Sequence, residues 1–273
     1  MSLIHSTSPS AIISSLIKHR ELVFELVKRD FIGRYKGSII GVAWSMLHPL
    51  LMLVIYTLVF SVAFKARWGI GDESKVAFAI VLFSGMIVHG LFAECLNRAP
   101  GIIVSQPNYV KKVVFPLEIL PWVALFSALL HFLVSFGLLL VFCIFTGVSL
   151  KATALLVPIV MLPLLLMTLG LSWLFASLGV YLRDITQGMG LITTVLMFLS
   201  PVFYKTSAFP EDYQYLFAFN PLTLPIEQLR DVLLWGNTIN WTSWATSLFT
   251  GIAICYFGFW WFQKSRKGFA DVL

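Results

Sequence analysis

The sequence predicts an all-α integral membrane protein: six transmembrane helices, an N-terminal amphipathic interfacial helix, and both termini in the cytoplasm. Three observations carry this reading. Of the 273 residues, 59% are hydrophobic and only 12% charged, about half the charged share of a soluble domain. The apolar residues gather into six runs, each long enough to cross about 30 Å of hydrocarbon. The basic residues concentrate in alternate links between those runs, which orients the chain.

At the N-terminus, Ser8-Pro9 offers a cap followed by proline in the first helical turn. Ile13, Leu16, Ile17, Phe24, Val27 and Phe31 then recur at three- and four-residue steps, with Lys18, Arg20, Glu21, Lys28 and Arg29 on other faces. This pattern predicts one amphipathic helix of about 20 residues lying at the membrane surface. No cleavable signal is expected, because no charged region precedes a sustained apolar core, and no lipidation motif is evident. Residues 1–38 form this interfacial helix and a basic elbow, and residues 39–273 form the membrane domain. The elbow carries Lys28, Arg29, Arg34 and Lys36 against Asp30, with Gly33, Gly37 and Gly41 at helical spacing through the join. Lacking Cβ atoms, such glycines admit a close backbone or a ligand headgroup.

The six runs are 39–64, 76–96, 119–145, 152–182, 188–204 and 242–262, the fifth barely long enough. Pro49 in the first and Pro158 and Pro163 in the fourth predict kinks. With the N-terminus inside, Lys18, Arg20, Lys28, Arg29, Arg34, Lys36, Arg98, Lys111, Lys112, Arg183, Lys264, Arg266 and Lys267 are cytoplasmic. Lys65, Arg67, Lys75, Lys151, Lys205 and Arg230, about half as many, fall outside and are offset by neighbouring acids. Two links are too long to be turns. Residues 97–118 are basic and punctuated by Pro100, Pro107 and Pro116. Residues 205–241 are rich in aromatic and aliphatic side chains, so that segment dips into the outer leaflet; within it, Pro225 starts a helix and Gly236 stops it.

No phosphate-binding G-x-x-x-x-G-K-[ST] loop, H-E-x-x-H or G-x-S-x-G motif occurs, so ATP hydrolysis by that loop and those hydrolytic chemistries are not expected of this chain. Cys95, Cys143 and Cys255 lie in apolar runs without metal-ligand spacing and read as core residues; no metal site is expected. The ionisable groups within the runs are His48, His89, Glu94 and His131. Histidine there serves either packing or a proton relay, and a Glu94–Arg98 pair at i,i+4 is ordinary. The 24 Phe, 9 Trp and 8 Tyr supply interfacial anchors at Trp68, Trp241, Trp244, Trp260 and Trp261. Trp44, Tyr56, Phe60, Phe132, Phe136, Phe198 and Tyr204 are candidates for lining a pore through which sugar rings slide. Packing against lipid or helices gives the same pattern. The link Tyr181-Leu182-Arg183-Asp184 either anchors helix ends or helps form a docking surface.

The collar RDFIGRYKGSIIGVAWSMLHPLL, the outward VFSVAFKARWG, the YLRD link, and SPVFY followed by NPL closely resemble the membrane subunit of type-2 ABC exporters of bacterial polysaccharides. Within that family the chain looks most like the O-antigen permeases. The resemblance implies a homodimer of six-span subunits in the bacterial inner membrane, with two copies of a separate ABC ATPase that bind the ATP and magnesium. No cofactor in this chain and no nucleic-acid partner are implied. It also implies an interfacial helix within residues 10–30, a coupling segment within 97–115 and re-entrant periplasmic gate helices within 205–241. On this reading the ATPase-coupling residues are Glu25, Asn108, Tyr109, Lys111, Lys112, Arg183 and Asp184.

The implied cargo is a glycan on undecaprenyl pyrophosphate, driven through a channel by ATP. Its pyrophosphate needs cations at the cytoplasmic leaflet, and Arg29, Arg34 and Lys36 beside Gly33 and Gly37 suit that need. The same cations also serve as plain topology signals, and the sequence leaves both roles open. Permeases for capsular polysaccharide, teichoic acid or a small lipid or drug are the nearest rivals. A self-sufficient transporter lacks a midplane charge relay here, and a membrane enzyme lacks paired acid–base groups.

Overall fold

The computed structural model describes residues 7–59, 75–111, 115–206 and 210–273, all helices and connections with no strand among them. The predicted outward stretch 60–74, with Phe60, Lys65, Arg67 and Trp68, lies outside the described residues, as does Lys112. The expected single N-terminal helix is two helices, α1 (Pro9–Lys18) and α2 (Arg20–Gly33). Pro9 takes the first helical turn as expected, while the Ser8 hydroxyl meets the Ser10 hydroxyl instead of capping an amide. The break falls at His19, whose φ of −110° and ψ of 22° leave helical geometry and whose Nδ1 lies 3.0 Å from the Ser15 carbonyl. Val23 and Leu26 bury one face of α2, while Ile13, Ile17 and Phe24 stay more than 60% exposed.

The glycine spacing at the elbow is not helical. Helix α2 ends at Gly33, and the chain then turns through Gly37 (φ +88°) and Gly41 (φ +58°). Those two positions need glycine for left-handed backbone; Gly33 has no neighbour within 4 Å that a Cβ would meet. A short turn at Gly41–Ala43 leads into α3 (Trp44–Leu58), which carries Pro49 inside it.

Helix α4 (Lys75–Arg98) is followed by two short helices, α5 (Gly101–Val104) and α6 (Pro107–Lys111), in the predicted coupling segment. Then come α7 (Leu120–Phe145), α8 (Val157–Tyr181) and α9 (Ile185–Phe198). Pro158 sits at the N-terminal start of α8, where its missing N–H costs nothing, so only Pro163 lies inside the helix. Helix α9 starts before the predicted 188 and stops at Phe198, and residues 199–206 leave the helix in a series of turns.

The expected outer segment holds α10 (Glu211–Phe219) and α11 (Thr223–Arg230), the latter continued by a wider turn over Asp231–Trp235. Gly236, at φ +74°, stops it as its sequence position suggested. Helix α12 (Trp241–Ser265) and the short α13 (Phe269–Val272) complete the chain. Four described stretches have the length and hydropathy of membrane spans: Phe78–Arg98, Leu117–Phe145, Ala152–Tyr181 and Trp241–Val272. The other two predicted spans appear as the shorter apolar helices Gly41–Tyr56 and Ile185–Phe198.

The core forms where α4, α7, α8, α11 and α12 meet. A Cβ on Gly258 of α12 would collide with the Gly170 carbonyl of α8, and one on Gly170 with the backbone at Ile254 and Cys255. The two helices therefore touch backbone to backbone, the close approach that small residues permit in membranes. Trp173 of α8 is fully buried between Trp122 and Phe259, and its Nε1 donates to the Glu118 carbonyl at 3.0 Å. Cys95, Cys143 and Cys255 are free and buried, as the sequence predicts.

Candidate functional site: the elbow cavity and its ion cluster

The elbow, α3, α4 and α7 line an open cavity of about 430 Å³. Trp44, Tyr56 and Phe132 give it aromatic walls, and His48, His89, Glu94 and His131 give it polar ones. Ser45 and Ser135 add hydroxyls, and Tyr35 closes the elbow side. Aromatic faces beside mixed donors and acceptors suit a ligand with apolar C–H faces and many hydroxyls, because every buried hydroxyl must find a partner.

An ion cluster lies along the elbow side of this cavity. Arg34 Nη1 lies 2.5 Å from Glu94 Oε1, and Arg34 Nη2 donates to Asp30 Oδ2 at 3.1 Å. Arg98 Nη2 donates to Asp30 Oδ1 at 2.6 Å, while its i,i+4 contact with Glu94 is a looser 3.8 Å. Glu94 Oε2 is 3.0 Å from His131 Nδ1, and His131 Nε2 is 3.0 Å from the Tyr35 hydroxyl. The cluster thus ties α2 and the elbow to α4 and α7. Burial raises the pKa of the Asp30 carboxyl, but Arg98, then Ser127 and Arg34, outweigh it and hold it below the ordinary carboxylate value. Burial also opposes the Arg34 charge, which Glu94 and then Asp30 more than restore. Burial pushes the Tyr35 phenol up, so it keeps its proton near neutrality.

The structure sorts the predicted site residues into groups. Trp44, Tyr56 and Phe132 share the cavity, and Phe136 stacks on Phe132 with ring centres 5.8 Å apart. Phe198 and Tyr204 stand away from the cavity lining and are joined by a bond from the Tyr204 hydroxyl to the Phe198 carbonyl. Of the elbow cations, Arg34 is in the cluster, Lys36 is exposed, and Arg29 donates to the Tyr109 hydroxyl at 3.1 Å. A predicted anion-binding residue therefore touches a predicted coupling residue. Glu25, Asn108, Arg183 and Asp184 are exposed, and Lys111 is the last residue of α6. His89 is 8% exposed and bonded to the Thr193 carbonyl, a packing role.

Two clusters have no counterpart in the sequence reading. Glu118 receives Arg266 at 2.5 Å and the Ser15 hydroxyl at 3.1 Å, joining the C-terminal segment and α1 to the start of α7. Arg266 also donates to the Phe115 carbonyl at 2.7 Å. Arg230, assigned by sequence to the outer topology charges, is 1% exposed and donates to the carbonyls of Val81, Pro201 and Val202. No local pattern marks these residues: Arg230 stands beside Glu227 and Asp231, and Arg266 between Lys264 and Lys267, as ordinary surface charges would.

The family of ABC-2 type transporters matches residues 21–234. An O-antigen export system permease protein of Klebsiella pneumoniae is 25% identical over 254 residues, covering 93% of this chain and 95% of its own. One from Myxococcus xanthus is 27% identical over 213 residues, covering 77% and 79%. A polysialic acid transport protein of Escherichia coli is 22% identical over 238 residues, covering 84% and 90%. With a matching stretch that spans most of its helices, this chain is a permease of the ABC-2 type transporter family.

Proposed function

We propose that this chain is the membrane subunit of an ATP-driven exporter. It moves a lipid-linked polysaccharide of the O-antigen type across the bacterial inner membrane, through a channel shared by two copies. The observation that carries the reading is the elbow cavity: aromatic walls and hydroxyl partners for sugar rings lie against a cluster of guanidiniums. The relatives named as O-antigen export permeases support the same cargo class. A capsular polysaccharide is the second reading, favoured by the polysialic acid relative.

Arg34, with Lys36 and Arg29, attracts the pyrophosphate, while Trp44, Tyr56 and Phe132 receive the first sugars. The exposed Ile13, Ile17 and Phe24 suit a helix pair seated among lipid headgroups. Helix α9 exposes Gln187, Gly190 and Thr194 beside Leu191 and Val195, a mixture better suited to a second copy or a wet channel than to acyl chains. The chain lacks a phosphate-binding loop, so hydrolysis belongs to a separate ATPase docked on the exposed Glu25, Asn108, Arg183 and Asp184. Deleting the chain from a glycan-producing cell should strand the lipid-linked glycan on the cytoplasmic face. An unchanged amount of surface glycan would overturn the proposal.

A further inference from the structure

His131 is offered more hydrogen bonds than one ring can make. Its Nδ1 lies 3.0 Å from Glu94 Oε2 and 3.1 Å from Arg34 Nη1, and its Nε2 lies 3.0 Å from the Tyr35 hydroxyl. A ring nitrogen holds either a proton or a lone pair. With Nδ1 bare, it accepts from Arg34, Nε2–H donates to Tyr35, and Glu94 Oε2 loses its donor. With Nδ1 protonated, it donates to Glu94, Nε2 accepts from Tyr35, and an Arg34 N–H is left facing a proton. With both nitrogens protonated, the ring serves Glu94 and Tyr35 together and sets a positive charge against Arg34.

We propose that His131 is a positioning residue for the anion site: by taking up a proton it replaces Arg34 as counter-ion of Glu94 and releases the guanidinium to a pyrophosphate. The proposal rests on the elbow being the pyrophosphate site. The charges balance. Asp30, Glu94, Arg34 and Arg98 with a neutral ring sum to zero, so moving Arg34 onto an incoming anion leaves Glu94 short of one positive charge. A single proton from water, held on the imidazole, supplies it. No covalent bond forms or breaks.

Among the described residues, the groups facing the ring are few. The elbow and α2 present Arg34, Tyr35, Asp30 and the Phe31 ring, centred 5.0 Å away. Helix α4 presents Glu94 and, behind it, Arg98. Across the cavity, α3 presents His48 and α4 presents His89, the latter bonded to the Thr193 carbonyl. Guanidiniums hold their charge at every relevant pH, and Asp30 is held ionised by its neighbours. Among the described residues, His131 is the imidazole in direct contact with both Glu94 and Arg34.

The test uses the permease–ATPase complex in lipid nanodiscs, with a short-chain polyprenyl pyrophosphate as probe and inorganic pyrophosphate in a second arm. Binding is measured from pH 6 to pH 8 for wild type, His131→Gln, Glu94→Gln and Arg34→Ala. One proton taken up with the ligand steepens the pH dependence by up to about tenfold in affinity per pH unit. The probe's own phosphate titration acts equally on every protein, so the readout is the difference in slope from wild type. His131→Gln keeps hydrogen-bonding capacity but cannot be charged, and should lose that extra tightening at low pH. Glu94→Gln should lose it too and bind more tightly than wild type at pH 8, because Arg34 is then held by Asp30 alone of its two carboxylate partners. Equal slopes for wild type and His131→Gln would overturn the relay. If Arg34→Ala then binds far more weakly, the elbow reading survives without it. Full binding by Arg34→Ala, or no binding by wild type at any pH, would overturn both. Equal behaviour of the two probes assigns recognition to the pyrophosphate, whereas binding of the lipid probe alone adds a contact to the chain.

Discussion

Arg230 donates to three carbonyls and to the Ser84 hydroxyl, joining α11 to α4 and to the turn after α9. Buried acceptors stripped of their donor cost about 1–3 kcal/mol each. Arg230→Leu should therefore destabilise the protein by at least about 3 kcal/mol, read as a lower midpoint of thermal unfolding in detergent. Gly85→Ala should act through the same guanidinium, because a Cβ there would stand 2.7 Å from Arg230 Nη2. Gly188→Ala, with no neighbour within 4 Å and helical backbone, is the control that should not lower the midpoint. Asp30 gives a pH dependence of defined sign. Its carboxyl pKa is lowered in the fold, so the stabilisation it gives α2 is complete above the ordinary carboxylate value. That stabilisation is lost as the pH falls through the lowered one. Hydrogen exchange in α2 should be insensitive to this group between pH 5 and pH 8 and should rise in stronger acid, and Asp30→Asn should raise it at neutral pH.

At the scale of elements, the packing of α8 on α12 depends on glycine. Gly258→Val would drive a branched side chain into the Gly170 carbonyl. Overpacking of this kind typically costs about 1–3 kcal/mol, and contact with rigid backbone belongs at the upper end. Size-exclusion profiles of detergent-solubilised protein should show Gly258→Val aggregated where Gly188→Ala is monodisperse. Helix placement was largely legible in the sequence, because a membrane helix must be a continuous apolar run. Helix ends were less so. Pro158 was legible as a helix breaker and stands instead at a helix start, where proline is harmless. Gly37 and Gly41 were legible as glycines but not as left-handed turns, since spacing alone does not separate a small-residue stripe from an elbow.

Across the whole molecule, the cavity brings Trp44, Tyr56 and Phe132, scattered in the sequence, together beside the basic collar. The ion cluster around it was not legible. Asp30 meets Arg98 and Arg34 meets His131 across gaps of 68 and 97 residues, and no local pattern announces such pairings. The sequence offered Glu94 its neighbour Arg98 four residues on, whereas in the fold Arg34 and His131 are closer.

Orientation follows from the same scale. The segments bearing Ser15, Tyr109, Glu118, Tyr181 and Arg266 meet at one end of the bundle, and that end should face the cytoplasm. Impermeant thiol labelling of single-cysteine variants in intact cells should mark a cysteine at Asn237 and spare one at Lys267.

The proposed export function turns on whether the elbow cation handles cargo or only sets topology. The decisive measurement is surface glycan in cells carrying Arg34→Ala or Arg34→Lys, at matched membrane levels and with the ATPase still co-purifying. A guanidinium that binds pyrophosphate offers a planar two-pronged contact that lysine does not. Arg34→Ala should therefore abolish export and Arg34→Lys restore only part of it; normal surface glycan with Arg34→Ala would contradict the account.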